Sequence, residues 1–222
     1  MSSAFITATG TEIGKTFVTT GLIRALRRSG RDVDALKPIV SGHAPGAGDP
    51  EALLAALGRP VTPEAVAAIA PWRFRAPLSP DMAAALEGAQ IDVDEVVAFC
   101  RDKVAARKDV LLIEGVGGLM VPLQGRRTVL DWMKALHLPA ILVSGSYLGT
   151  LSHALTALNA LTSGKLPLIA LVVNESPCST VELAQTAATL ARFVGEDRTV
   201  TLPHLSRAEA EHPSFDRLAQ LF

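Results

Sequence analysis

The chain has 222 residues, of which 49% are hydrophobic and 5% aromatic, and its formal net charge is -1 at pH 7. This balanced charge argues against a general polyanion partner such as nucleic acid. The longest apolar runs are too short to span a membrane. The length suffices for one large domain with a full core, so we expect a single domain over residues 1–222.

Cysteine usage and the N-terminus bear on the compartment. Cys100 and Cys178 make neither a disulfide framework nor a metal cluster, and we expect buried or half-buried thiols of a reduced protein. No basic segment followed by an apolar run opens the sequence, so no export signal is expected. We therefore expect a cytoplasmic protein.

The first predicted elements are a strand, a loop and a helix. The apolar run AFITA predicts a strand over 4–8. Apolar residues recur at helical spacing over 15–29, and Gly30 is expected to close this helix as a C-cap. VDALKP predicts a second strand over 33–38, and the glycines and prolines of residues 39–50 predict a loop.

Later elements continue the alternation of strand and helix. Asp92, with Glu95 three residues on, is typical of a capping box at the start of a helix. DVLLIEG (109–115) predicts a strand whose successive apolar residues indicate helices on both faces. Three more strands are predicted over AILVSG (140–145), LIALVVN (168–174) and TVTLP (199–203). Three helices are predicted near residues 128–137, 150–163 and 180–194.

Strands separated by helices predict an α/β fold, with a parallel sheet flanked by helices and right-handed crossovers. Ligands on such sheets bind beyond the carboxyl ends of the strands. Polar and glycine-rich segments follow five of the predicted strands: TGTEIGKT, KPIVSG, EGVGG, SGSYLGT and VNES. The sequence therefore predicts a binding site at this edge of the sheet.

The segment TGTEIGKT has the parts of a phosphate-binding loop. Gly14, Lys15 and Thr16 lie between a predicted strand and a predicted helix. In such a loop backbone N–H groups surround the phosphates, the lysine reaches the β- and γ-phosphates, and the hydroxyl binds Mg²⁺. The usual formula has a glycine five residues before Gly14, but that position is Thr9 and the nearest glycine is Gly10. A P-loop NTPase fold is still predicted.

The alternative is the deviant loop of the partition and cell-positioning ATPases, which act as switches. That loop needs a second lysine five residues before the loop lysine. The position holds Gly10 in this chain.

The loop TATGTEIGKT (7–16) resembles that of the dethiobiotin synthetases, ATP-dependent enzymes of biotin synthesis. That family has a glycine where this chain has Ala8 and an acidic residue where it has Gly10, and we expect Gly10 to restore the backbone freedom lost at Ala8. Five further blocks resemble the family in order, so that the similarity runs from about residue 4 to 205: LKPIVSG (36–42), APLSPDMAAALEG (76–88), IEGVGG (113–118), SYLGTLSHALTAL (146–158) and VVNE (172–175).

The resemblance implies a reaction. The diamine 7,8-diaminopelargonate takes up CO2 on one nitrogen, and the carbamate oxygen attacks the γ-phosphate of ATP. The second amine then closes a cyclic urea and phosphate leaves. Such phosphoryl transfer depends on positioning and on positive charge near the transferring oxygens. The implied partners are diaminopelargonate, CO2 or bicarbonate, ATP and Mg²⁺.

The resemblance also implies roles for individual residues. Lys37, Lys15 and Thr11 would act on the reacting groups. Asn174 would recognise adenine, because a side-chain amide both donates and accepts, and Pro203 lies in a second base-binding loop. The implied nucleotide-binding residues are Glu12, Ile13, Gly14, Lys15, Thr16, Phe17, Asn174 and Pro203.

For the metal, the resemblance implies Thr16, Glu114 and one further carboxylate. Alignment on the following Ala-Leu pair puts Glu51 at that place, whereas Asp49 keeps the family's residue type, so both are candidates. Either could instead cap the helix that Asp-Pro-Glu begins.

For the diamine, the resemblance implies Ser41 and the start of a helix. Free N–H groups and the positive end of a helix dipole suit the substrate's carboxylate tail. In the family this segment serves the neighbouring subunit, so a homodimer with shared active sites is implied. The residues of the segment are Gly149, Thr150, Leu151, Ser152 and His153.

Overall fold

Six parallel strands form the central sheet of the protein, in a computed structural model that describes residues 3–205 and 211–222. The strands of the described chain are β1 (Ser3–Ala8), β2 (Val33–Leu36), β3 (Ile39–Ser41), β4 (Trp72–Phe74), β5 (Val110–Glu114), β6 (Pro122–Gln124), β7 (Arg127–Thr128), β8 (Ala140–Ser144), β9 (Leu168–Asn174) and β10 (Thr199–Leu202). The helices are α1 (Lys15–Arg28), α2 (Asp49–Ala56), α3 (Pro63–Ile69), α4 (Pro80–Leu86), α5 (Val93–Ala106), α6 (Val129–Leu136), α7 (Thr150–Ser163), α8 (Leu183–Val194) and α9 (Pro213–Ala219).

The order of the central sheet is β10-β9-β8-β1-β5-β2, and each pairing in it is parallel. The parallel α/β fold predicted from the sequence is confirmed. The middle strands β1, β5 and β8 are buried along their whole length, because helices cover both faces of the sheet. In the core the rings of Phe5 and Trp132 meet edge to face, with centroids 4.7 Å apart.

The topology brings three strand ends to one place. Because β1 lies between β5 and β8, and β5 lies between β1 and β2, the segments that follow β1, β5 and β2 are neighbours. The loop after β5 is tied to the loop after β1, since the Leu119 N–H donates to the Ala8 carbonyl at 3.0 Å.

The expected loop over 39–50 is wrong in two places. Ile39–Ser41 forms β3, which pairs in parallel with β4 in a separate two-stranded sheet, and α2 begins at Asp49. The partner strand lies about thirty residues further on, at Trp72–Phe74, so no local pattern signals the pairing. The second strand ends at Leu36, two residues earlier than expected, because the Lys37 N–H donates to the Ile69 carbonyl and Pro38 has no N–H for the ladder.

Several finer expectations can be compared with the structure. Gly30 follows α1 with φ +86°, although the cap itself is Ser29. Asp92 accepts from the N–H groups of Asp94 and Glu95, but the full reciprocal capping box of the described helices is at α6. Both cysteines are free, and Cys178 is exposed, contrary to expectation.

No helix in the described ranges is both long and apolar enough to cross a membrane.

Helix α9 packs against α1 through Phe215, which is buried. A Cβ atom at Gly21 would overlap the Phe215 ring. The ring also meets Phe17 edge to face, with centroids 5.7 Å apart. Gly21 therefore allows the close approach of the two helices.

We predict that Gly21→Ala lowers the free energy of unfolding by about 1–3 kcal/mol, because the added methyl overpacks a filled contact. Alanine is otherwise favoured over glycine inside a helix by about 1 kcal/mol. Urea denaturation measures the change. In a double-mutant cycle with Phe215→Leu, the two costs should be less than additive, because the smaller side chain makes room. A Gly21→Ala protein as stable as wild type would contradict the close packing.

Candidate active site

A cleft of about 830 Å³ opens at the carboxyl ends of β1, β2 and β5. The residues lining it that the sequence analysis had selected are Thr11, Glu12, Gly14, Lys15, Thr16, Phe17, Lys37, Ser41 and Asp49. A second cavity, of about 680 Å³, lies near the amino ends of β9 and β10 and is lined mainly by apolar side chains, without a carboxylate. Of these two, the first combines lysines with carboxylates and a phosphate-binding loop.

The loop between β1 and α1 reaches its shape through two left-handed residues. Gly14 has φ +92° and Glu12 has φ +58°. The expectation that Gly10 supplies a positive φ in place of Ala8 is wrong, because Ala8 is the extended last residue of β1 and Gly10 is not left-handed. The left-handed conformation of Glu12 is a strained one of the kind that accumulates at functional sites.

Lys15 lies inside the loop rather than in solvent. Its Nζ donates to the carbonyl of Gly117 at 2.6 Å and to that of Gly10 at 3.3 Å. Burial and, to a smaller extent, the charge of Lys37 lower the pKa of Lys15 to about 8, although Glu114 and Asp49 act in the opposite direction. A bound anion such as phosphate would therefore stabilise the charged form of Lys15 and raise its pKa again.

Lys37 is the centre of a buried charge cluster. Its Nζ donates to Glu114 Oε1 at 2.6 Å, to the Gly115 carbonyl at 2.9 Å and to Asp49 Oδ2 at 2.9 Å. Burial alone would lower the pKa of Lys37, but the two carboxylates hold it above its ordinary value. An ammonium has three hydrogens, so all of them are used in this arrangement.

The structure distinguishes between the two carboxylates considered for the metal. Asp49 contacts Lys37, and although burial would raise its pKa, Lys37 and the Thr16 hydroxyl hold that pKa below its ordinary value. Glu51 does not line the cleft, and its Oε1 lies 3.1 Å from His43 Nε2. Position in the fold therefore favours Asp49.

The donor atoms near Thr16 suit a hard cation. The Thr16 hydroxyl donates to Glu114 Oε1 at 2.7 Å, and Glu114 is fully buried. Its other oxygen, Oε2, has no hydrogen-bond partner in the described residues. No cluster of three His, Cys, Asp or Glu residues that could hold a metal occurs in the described chain. One hydroxyl and two carboxylates fit Mg²⁺, which keeps waters and substrate phosphate oxygens as its other ligands.

The two residues selected for adenine lie at adjacent strand ends. Asn174 closes β9 in register with Leu202, the residue before Pro203. Its Nδ2 donates to the Ile13 carbonyl at 3.0 Å, so it touches the phosphate loop. Glu175, which the sequence analysis did not select, joins the two segments: its N–H donates to the Leu202 carbonyl, and its carboxylate accepts from the His204 N–H.

The segment selected for the substrate tail does not reach the cleft of its own chain. Gly149 to His153 contributes no lining residue there. Thr150 is buried, and its Oγ1 donates to the Gly145 carbonyl at 2.8 Å. Leu151, Ser152 and His153 are exposed at the start of α7. These residues and Lys37 therefore lie apart within one chain.

One wall of the cleft consists of residues that the sequence analysis did not name as site residues. The lining of the cleft includes four residues before and at the start of α4: Pro77, Leu78, Ser79 and Pro80. The signal was present, because the block APLSPDMAAALEG belongs to the resemblance. Asp81 of this block accepts from the Ser79 hydroxyl at 2.6 Å but does not itself line the cleft.

Known proteins with similar sequences identify the family to which this chain is related. A family model described as an AAA domain matches residues 2–212. Proteins named ATP-dependent dethiobiotin synthetase BioD are similar over most of the chain. That of Methylobacterium nodulans is 52% identical over 204 residues, 88% of this chain and 90% of the relative. That of Acidiphilium cryptum is 46% identical over 199 residues, 88% of this chain and 89% of the relative. That of Caulobacter vibrioides is 44% identical over 214 residues, 95% of this chain and 96% of the relative.

The chain belongs to the dethiobiotin synthetase family. The resemblance seen in the sequence is thereby confirmed, and the positioning-ATPase alternative is not favoured.

Solved structures of other proteins share the fold of this dethiobiotin synthetase family member. The cell division ATPase MinD of Pyrococcus furiosus superimposes with a TM-score of 0.53 at 16% identity, covering 100% of this chain and 98% of that chain. A nucleotide-binding protein of Archaeoglobus fulgidus, in complex with ADP, gives 0.52 at 17% identity, covering 97% and 87%. At such identities the likeness concerns the fold alone. The P-loop NTPase type expected from the sequence is confirmed by the six-stranded parallel sheet together with the family match over residues 2–212.

We predict that ATP affinity falls as pH rises through about 8, where buried Lys15 loses its proton. Below this pH the lysine is charged in the folded protein and can pair with phosphate. Above it, affinity should fall by about tenfold per pH unit, the slope for one linked proton. Lys37 is expected to stay charged through this range, because Glu114 and Asp49 hold its pKa above the ordinary value.

Calorimetry between pH 7 and about 9.5 measures this slope, with Lys15→Gln as the control. The variant should bind ATP more weakly and without the fall. The same slope in both proteins would assign the titration to another group.

Proposed function

We propose that the protein is an ATP-dependent dethiobiotin synthetase. It takes 7,8-diaminopelargonate, CO2 and ATP, phosphorylates the carbamate, and closes the cyclic urea to give dethiobiotin, ADP and phosphate. The observation that carries this proposal is the pairing of a phosphate-loop lysine with a second buried lysine, Lys37, in one cleft. Family membership supports the same activity. We place the activity in the cytoplasm, where ATP is available.

Lys37 supplies positive charge from the side of the carbamate. Lysine suits this task because its ammonium is a compact point charge. All three of its hydrogens have partners in the free cleft. It must therefore release at least one of them, from Glu114 or Asp49, to contact a carbamate or a transferring phosphoryl oxygen.

Lys15 supplies positive charge from the side of the nucleotide. The N–H groups of Glu12 to Phe17 and the start of α1 would hold the phosphates. Thr11 lies beside them in the cleft. Charge placed in advance against developing negative charge is the usual source of catalysis in such a site.

Thr16, Asp49 and Glu114 would hold Mg²⁺. When bound, the ion would neutralise phosphate charge. The unpartnered Glu114 Oε2 and the shared Oε1 support this assignment. Ser41, together with the wall at Pro77–Pro80, would face the diamine on the other side of Lys37.

The direct test is detection of dethiobiotin by mass spectrometry after incubation with diaminopelargonate, bicarbonate, Mg²⁺ and ATP. ATP hydrolysis should require both the diamine and bicarbonate, and omission of either should abolish phosphate release. A switch ATPase would hydrolyse ATP at the same rate with or without them, and that result would refute the proposal.

We predict that Lys37→Gln lowers kcat by on the order of a hundredfold or more, because charge that acts in the transition state is lost. The calorimetric affinity for ATP should stay within about threefold of wild type, since Lys37 would act on the carbamate. Urea denaturation controls for folding, as the buried Glu114 loses its cation in this variant. Equal losses of affinity and rate would place Lys37 on the nucleotide.

The substrate's carboxylate tail requires a further site, and we propose that a second copy of the chain supplies it. The start of α7 offers the positive end of the helix dipole and the N–H groups of Leu151 and Ser152, whereas those of Thr150 and His153 donate to backbone carbonyls. It lies outside its own cleft, and the neighbouring Leu148 is 86% exposed. In a two-fold dimer, Gly149 to His153 of one chain would reach the cleft of the other.

We predict that two inactive variants complement each other. Lys37→Gln damages the lysine side of a shared site, and Leu151→Pro removes an N–H from the first turn of α7. A mixed dimer of the two then contains one intact site, so random mixing should restore about a quarter of wild-type activity.

The matched control is a mixture of Lys37→Gln and Lys15→Gln, both on the lysine side, which should restore nothing. If each site lay within one chain, neither mixture would recover activity. A fully active monomer would also contradict shared sites.

A further inference from the structure

The loop over residues 42–48 connects β3 to α2, and its path fixes where Asp49 begins the helix. At one end the loop is anchored through backbone bonds: the Gly42 N–H donates to the Ala76 carbonyl and the His43 N–H to the Phe74 carbonyl, each at 2.9 Å. At the other end Gly48 is the N-cap of α2 and makes no side-chain cap. Something else must hold this end in place.

Glu51 provides the missing contact. Its Oε1 lies 3.1 Å from His43 Nε2 and accepts from the Gly46 N–H at 3.3 Å. A carboxylate oxygen can only accept, so His43 Nε2 carries the hydrogen. The two side chains are 9% and 8% exposed. One carboxylate therefore joins the anchored end of the loop, its middle and the first turn of α2.

The approach of backbone to carboxylate is close. A Cβ atom at Gly48 would lie 3.0 Å from Glu51 Oε2, so a side chain there would push Glu51 away. Oε2 is buried and has no hydrogen-bond partner in the described residues. A buried carboxylate oxygen without a partner is costly, and the fold keeps Glu51 in this position despite that cost.

Asp49 stands two residues before Glu51 in the same helical turn, and it reaches Lys37 at 2.9 Å and the Thr16 hydroxyl. We propose that His43 and Glu51 are positioning residues, which hold the start of α2 so that the Asp49 carboxylate faces the Mg²⁺ and Lys37. The proposal rests on the proposed function, in that Asp49 serves the metal. Glu51 itself touches neither the cleft nor the reacting groups.

The test follows the Mg²⁺ concentration needed for half-maximal ATP affinity, measured by calorimetry. Glu51→Ala should raise it by roughly tenfold or more, the usual effect of removing a residue that orients a metal ligand. Glu51→Gln keeps an acceptor oxygen for both donors and should stay within about threefold of wild type. At saturating Mg²⁺, kcat of Glu51→Ala should also lie within about threefold of wild type.

Asp109→Ala is the matched control. Asp109 also accepts from a basic side chain, Arg31, and from a backbone N–H, that of Asp32, but it lies at the amino ends of β2 and β5. Its loss should lower the unfolding midpoint and leave the Mg²⁺ requirement unchanged. His43→Ala should raise the Mg²⁺ requirement as Glu51→Ala does. If Glu51→Ala does not fold, His43→Ala is the variant to measure.

Two results would overturn the proposal. Glu51→Ala and His43→Ala could keep the wild-type Mg²⁺ requirement, and Glu51 then only stabilises the loop. If the ATP affinity of Glu51→Gln loses its Mg²⁺ dependence as completely as that of Asp49→Asn, Glu51 is itself a metal ligand. Because the readout is Mg²⁺-dependent ATP binding, it remains decisive even if the wild-type protein makes no dethiobiotin.

Discussion

The buried carboxylate of Glu114 is the constraint on which the site depends. A fully buried charge is tolerated only when it is paired and hydrogen-bonded. Lys37 supplies the ammonium and Thr16 the hydroxyl, both on the same oxygen. This one atom thus joins the end of β5, the end of β2 and the start of α1. The position of each neighbouring group follows from this arrangement.

The two lysines influence each other through the same cluster. Lys37 adds to the burial that lowers the pKa of Lys15, while Glu114 and Asp49 offset part of that effect. The buried cluster therefore sets two ammonium groups, those of Lys15 and Lys37, against two carboxylates, those of Glu114 and Asp49. Anionic phosphate and a cation can enter together without leaving either set of charges unpaired, which suits a site for ATP with a metal ion.

Sheet order explains why the cluster forms at all. The phosphate loop follows β1, Lys37 follows β2 and Glu114 ends β5, and these strands are side by side. The tight approach of Gly118 to the backbone of Gly10 closes the gap between two of the segments. A wall formed by residues 77–80 completes the cleft.

The sequence by itself determined the alternation of strands and helices, the phosphate loop around Lys15 and the family, because periodicity and motif spacing are local properties. It also placed Asn174 and Pro203 at strand ends. Only the tertiary structure separated Asp49 from Glu51, which differ by two positions in one helical turn: Asp49 lines the cleft and contacts Lys37, whereas Glu51 contacts His43 outside it. It likewise decided the bond between Lys37 and Glu114, 77 residues apart, and the pairing of β3 with β4. Such contacts depend on which strands are adjacent, and no local pattern contains that information.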